Sequence, residues 1–78
     1  MPNLEEQLID QIRTRMRHQK RTQKDLGQQI SPDSKNPGQV INQYLQGQKP
    51  LVTHTLLKVL QALGARRITI HWEDEPHI

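Results

Sequence analysis

The apolar residues of this chain recur at three- and four-residue spacings in short runs, each opened by a helix-starting signal and most of them closed by Gly or Pro. That pattern leaves one main outcome: short helices, each too brief to persist alone, held together by packing. Asn3 with Glu6 three residues later is a capping-box-like start, and Leu4, Leu8, Ile9, Ile12 and Met16 then fall on one stripe of a helix predicted to reach about His18. Thr22 with Asp25 repeats the signal, and Leu26 with Ile30 gives a short second helix that Ser31-Pro32 stops. The stretch Ser31-Pro32-Asp33-Ser34-Lys35 has turn residues and reads as an exposed loop. Asn36-Pro37 restarts helix, since Pro lacks an N–H at a position where that group would go unpaired. This third helix is predicted to run to Gln46, with Gly47 at its C-cap and Pro50 beyond. Thr53 reads as the N-cap of a fourth helix carrying Leu56, Leu57, Val59, Leu60 and Leu63, ended by Gly64 and expected to supply the largest share of the core.

Past Gly64 the period changes. Ile68, Ile70 and Trp72 alternate with Thr69, His71 and Glu73, the signature of a strand. No second strand candidate exists in the chain, so the cheapest partner is the same strand of a second copy. Composition gives that step weight. Of 78 residues only 32% are hydrophobic, and there is no cysteine, so neither a disulfide nor a thiolate metal site can reinforce a thin core. The expected organisation is a helical domain over 1–66, a dimerisation strand over 67–73 with Ile68, Ile70 and Trp72 as its apolar interface, and an acidic tail over 74–78. No apolar run approaches the length that spans a bilayer, and the acidic start is unlike a signal peptide, so no membrane association and a cytoplasmic location are expected.

Charge is unevenly placed. Eleven Lys and Arg stand against eight Asp and Glu, and three of those eight are Glu73, Asp74 and Glu75, so the rest of the chain carries +6 rather than the overall +3. Arg13, Arg15, Arg17, Lys20, Arg21 and Lys24 crowd into twelve positions. Such a body suits a polyanion.

On a helical wheel residues 39 to 46 separate into two arcs. Val40, Ile41, Tyr44 and Leu45 take one. Gln39, Asn42, Gln43 and Gln46 take the other, an unbroken row of primary amides at i, i+3, i+4 and i+7. A Gln or Asn amide offers donor and acceptor together and pairs in bidentate fashion with adenine N6 and N7 in the DNA major groove. These four are therefore the candidate base-reading residues, and the basic cluster supplies the candidate phosphate contacts.

The same residues resemble a known family. Thr22-Gln23-Lys24-Asp25-Leu26-Gly27, then Ile41-Asn42-Gln43-Tyr44-Leu45-Gln46-Gly47-Gln48-Lys49-Pro50, then Thr55-Leu56-Leu57-Lys58-Val59-Leu60-Gln61-Ala62-Leu63-Gly64 is similar to the helix-turn-helix of the lambda-repressor and Cro type. The likeness covers most of residues 8 to 64. It implies a mainly α, four-helix fold whose C-terminal β-strand pairs across a dimer. It also implies that Thr22 and Gln23 contact a phosphate, that Gln23 braces the recognition helix, and that exposed side chains from Gln39 to Gln43 read bases. Two departures stand out. Ile30 and Ile41 are eleven positions apart, about four more than the family's compact turn, and Ile9-Ile12-Arg13 matches the family's apolar-apolar-arginine pattern but leaves about three extra residues before Thr22, so Arg13 reads as a structural ion-pair partner rather than a DNA contact.

The remaining candidate backbone contacts are Arg17, Lys20, Arg21, Lys35 and Lys49. Histidines 18, 54, 71 and 77 lack any helical ligand spacing, and no catalytic triad, carboxylate pair or phosphate loop is visible, so no metal, no cofactor and no enzymatic activity are expected. The expected function is sequence-specific double-stranded DNA binding as a homodimer on a pseudo-palindromic operator, in the manner of a Cro-like repressor. Two alternatives are an antitoxin-type regulator whose strand binds a partner protein, and a protein-interaction module without DNA.

Overall fold

A computed structural model describes residues 3–50 and 52–74. It is mainly helical, with four helices among the described residues: α1 (Leu4–His18), α2 (Gln23–Ile30), α3 (Pro37–Leu45) and α4 (Thr53–Ala62). The helix starts follow the capping chemistry read from the sequence in two cases out of four. Asn3 Oδ1 accepts the Glu6 backbone N–H at 2.8 Å. Thr22 and Asp25 form a reciprocal box, Oγ1 of Thr22 accepting the Asp25 N–H at 3.0 Å while Asp25 Oδ2 accepts the Thr22 N–H at 3.4 Å. Asn36 precedes α3 but makes no side-chain cap; its backbone carbonyl closes the first turn onto the Gln39 N–H at 3.1 Å, and Pro37 has no N–H to satisfy. Thr53 is not the cap of α4. Val52 occupies that position and its carbonyl accepts the Leu56 N–H at 2.9 Å, which draws Thr53 into the first helical turn.

Three helices end alike. After α1, α3 and α4 the backbone turns left-handed at Lys20 (φ 55°), Gly47 (φ 75°) and Gly64 (φ 88°). The next N–H then bonds back five residues: Arg21 to Met16 at 2.9 Å, Gln48 to Gln43 at 2.9 Å, and Ala65 to Leu60 at 2.9 Å. This is the Schellman arrangement, which pairs carbonyls the helix leaves orphaned. Glycine reaches a positive φ without steric cost, whereas Lys20 does so against its own Cβ. The end of α3 falls one residue earlier than predicted, with Gln46 as the cap residue.

The core gathers Ile9, Ile12 and Met16 of α1, Leu26 of α2, Ile41 and Leu45 of α3, Val59 of α4 and Leu63 just beyond it, with Ile30, Leu56, Leu60 and Ala62 packed at its edge. As expected, the segment from Thr53 to Leu63 supplies the most members of this cluster, Val59 and Leu63 buried and Leu56, Leu60 and Ala62 at the edge, although Leu57 is 43% exposed and α1 contributes the most fully buried side chains, three. Leu4, on the predicted stripe, is 79% exposed because the packed part of α1 begins a turn later. Burying an Ile or Leu side chain stabilises by roughly 1.5–3 kcal/mol, so each of these positions is a sizeable share of a small domain's stability.

Residues 65–72 are irregular, and no strand is present among the described residues. The predicted strand over 67–73 is thus not seen, and among the described residues no second strand is present to form a ladder with it. Ile68, Ile70 and Trp72 are 62%, 61% and 65% exposed. Of the acidic tail over 74–78 only Asp74 lies within the described residues. Among the described residues no helix is long and apolar enough to cross a membrane.

Candidate nucleic-acid interface

The pairing of α2 with α3 is set by glycine. A Cβ built on Gly27 would stand 2.0 Å from the Pro37 carbonyl oxygen, and one on Gly38 would stand 3.3 Å from both N and Cα of Lys24. The two helices therefore meet backbone to backbone at the middle of α2 and the start of α3, closer than any side chain permits. Leu26, fully buried, and Ile41, 2% exposed, fill the space behind that contact.

A side-chain bond fixes the same pair from the front. Asn42 Nδ2 donates to Gln23 Oε1 at 3.1 Å, tying the first residue of α2 to the middle of α3. The amide row read from the sequence is consequently not uniform. Gln39 and Gln46 are exposed, whereas Asn42, bonded to the start of α2, and Gln43 are half-buried. Thr22, Gln23 and Lys24 thus share one surface with Gln39, Asn42 and Gln43. No carboxylate belongs to α3, and residues 34 to 72 contain neither Asp nor Glu while carrying Lys35, Lys49, Lys58, Arg66 and Arg67.

The basic cluster divides by role. Arg13 Nη2 donates to the Leu45 carbonyl at 2.7 Å, so its partner is a helix C-terminus and not the carboxylate expected of an ion pair. Arg15 Nε and Gln19 Nε2 donate to the Leu63 carbonyl at 3.2 and 2.9 Å, and Arg21 Nη1 donates to the Ala62 carbonyl at 2.7 Å. Arg21 also donates through Nη2 to Gln29 Oε1. These donors neutralise the negative ends of α3 and α4, where the last carbonyls lack partners of their own. Among the expected backbone contacts, Arg17, Lys20, Lys35 and Lys49 are exposed, and Arg21 is half-buried with two of its N–H groups engaged inside the fold.

Lys24 belongs to the basic cluster but was not singled out among its candidate backbone contacts; it is exposed and its backbone lies against Gly38 at the start of α3. Its place directly after Gln23 in the first turn of α2 was the available signal. Lys35 and Asn36 end the loop between α2 and α3, which is closed by a Ser34 N–H to Ser31 carbonyl bond of 3.1 Å and an Asn36 N–H to Ser34 Oγ bond of 3.3 Å. Among the described residues no group of three His, Asp or Glu side chains gathers as a metal site would require. No protein-family model, curated protein or solved structure matches the chain significantly.

Proposed function

We propose that this chain is a sequence-specific double-stranded DNA-binding regulator of the lambda-repressor and Cro type, non-enzymatic, with α2 and α3 as its helix-turn-helix. The observation that carries the reading is the Asn42–Gln23 bond, which joins the N-terminal end of α2 to the outward face of α3 as one rigid unit. In that unit α3 enters the major groove, Gln39 and Gln43 reach base edges, and Asn42, braced by Gln23, and Gln46 flank them. Thr22, Gln23 and Lys24 meet the phosphates beside it, with Arg17, Lys20, Lys35 and Lys49 further out. An acid-free stretch from 34 to 72 keeps this face attractive to DNA. Arg21 acts mainly within the fold.

The exposed Ile68, Ile70 and Trp72 support a homodimer in which residues 67–73 pair as strands across the two-fold axis, setting half-sites about one helical turn, roughly 34 Å, apart. The same exposure favours a second reading, an antitoxin-type regulator whose tail takes up a partner protein. Mass in solution separates the two, since a stable monomer at micromolar concentration speaks for a missing partner.

Selection from randomised duplexes tests the base-reading assignment. Gln39→Ala or Gln43→Ala relaxes preference at one or two positions by about 1–3 kcal/mol, whereas Lys20→Ala weakens all sequences alike. Identical preferences in parent and Gln variants sink the assignment, and absence of any preference in the parent sinks the function.

A further inference from the structure

Between the C-terminal half of α2 and the second half of α4 lies an open cleft of about 410 Å³, lined by Gln29, Ile30, Lys58, Gln61 and Ala62. Its polar groups have a defined sense. Arg21 binds at its edge, donating to Gln29 Oε1 and, at 2.7 Å, to the Ala62 carbonyl. A guanidinium has donors only, so it takes the Gln29 amide through its oxygen and leaves Nε2, a donor, as the amide's remaining group. Lys58 adds an ammonium, and no carboxylate belongs to the lining. Ile30 and Ala62, both half-buried, give the cleft an apolar surface between those donors.

We propose that this cleft binds a small organic carboxylate. The ligand's oxygens accept from Lys58 Nζ and Gln29 Nε2, and its hydrocarbon part covers Ile30 and Ala62. Gln61 brings an amide that can donate or accept, so it is the ammonium of Lys58 and the guanidinium at the edge, with no carboxylate in the lining, that select against a cation, and the apolar surface selects against a bare inorganic anion. The site occupies the end of α2 opposite Thr22 to Lys24, and it stands or falls independently of DNA binding. Carboxylate chemistry has a second possible source, the acidic residues Glu73 and Asp74 of another copy, and the experiment separates the two.

The full ¹⁵N-labelled chain is titrated with sodium benzoate at constant ionic strength, and in parallel with neutral benzamide. Saturable shifts confined to Gln29, Ile30, Lys58, Gln61, Ala62 and the Arg21 side chain are expected, with benzamide about tenfold weaker. Lys58→Met weakens benzoate about tenfold and Lys58→Arg retains it, both at an exposed position whose replacement leaves the helical circular-dichroism signal unchanged. Linear, unsaturated shifts spread over Arg17, Lys24, Lys35 and Lys49, equal binding of benzamide, or indifference to Lys58→Met overturn the proposal. Shifts at the same cleft residues on raising protein concentration without benzoate also overturn it, by assigning the cleft to another copy's carboxylates.

Discussion

Arg13 on α1 donates from Nη2 to the carbonyl oxygen of Leu45, the last residue of α3, at 2.7 Å. The bond closes a contact across 32 positions of chain and sets a positive charge at the negative end of the helix proposed to read DNA. Arg15 and Arg21 do the same for α4 through Leu63 and Ala62, and Gln19 adds a neutral amide donor to Leu63. A segment whose composition suggests phosphate binding therefore spends much of its charge on holding helix ends.

Replacing Arg13 by Met keeps most of the aliphatic stem and removes the donor. The domain is expected to lose about 1–2 kcal/mol, the range of a charge-assisted bond to a partly buried carbonyl. Urea unfolding checks this, and an unchanged midpoint would show that the bond contributes nothing net. Arg13→Lys is expected to recover only part of the loss, because an ammonium on a shorter reach replaces the planar fork.

Two glycines separate close packing from backbone conformation. Gly27→Ala drives a methyl to within 2.0 Å of the Pro37 carbonyl, a contact relieved only by moving α2 from α3, and is expected to cost more than about 3 kcal/mol or to abolish folding. Gly47→Ala meets no atom within 4 Å but must hold φ near 75°, so about 1 kcal/mol is expected. Thermal denaturation of the two variants side by side tests the ranking, which the reverse order would refute.

Lys20 is the non-glycine residue that turns left-handed at the end of α1. Lys20→Gly removes steric strain in the folded chain, partly offset by greater freedom in the unfolded one, and is expected to stabilise by about 0.5–1 kcal/mol. In the proposed complex it also removes an exposed cation, so salt-dependent DNA affinity falls while the melting temperature rises. A drop in both would mean that the lysine side chain, and not its backbone, matters to the fold.

The Asn42–Gln23 bond can be isolated by a double-mutant cycle. Gln23→Ala and Asn42→Ala are expected to couple by about 0.5–1.5 kcal/mol in stability, since neither amide has its bond once the other is gone. In DNA binding, each single variant and the double are expected to weaken binding to a similar extent. Strict additivity in both measurements would show that the two side chains act separately.

Local chemistry carried much of the architecture. Asn3 with Glu6 and Thr22 with Asp25 begin helices through atoms three residues apart, and Gly47 and Gly64 end them through their own φ, so each boundary is readable in a short window. Thr53 failed as a cap because the first turn closes one residue earlier, on the Val52 carbonyl, which places Thr53 inside the helix. The strand expected over 67–73 had no such local determinant, since pairing requires a second edge, and the described residues contain none.

The candidate interface divides in the same way. The amide face of α3 follows from helical period alone, and so does the choice of Gln39, Asn42, Gln43 and Gln46 as one row. That Asn42 turns to Gln23, that Lys24 lies against Gly38, and that Arg13, Arg15 and Arg21 face carbonyls depended on helices meeting across 14 to 48 positions of chain. By itself the sequence determined where helices start and stop and which faces they bury, because capping, φ preference and apolar period act within a few residues. Which polar groups pair across the molecule was decided only when burial of Leu26 and Ile41 brought α2 and α3 together. Hydrogen bonds act over about 3 Å and have no signature in sequence spacing until packing closes that distance.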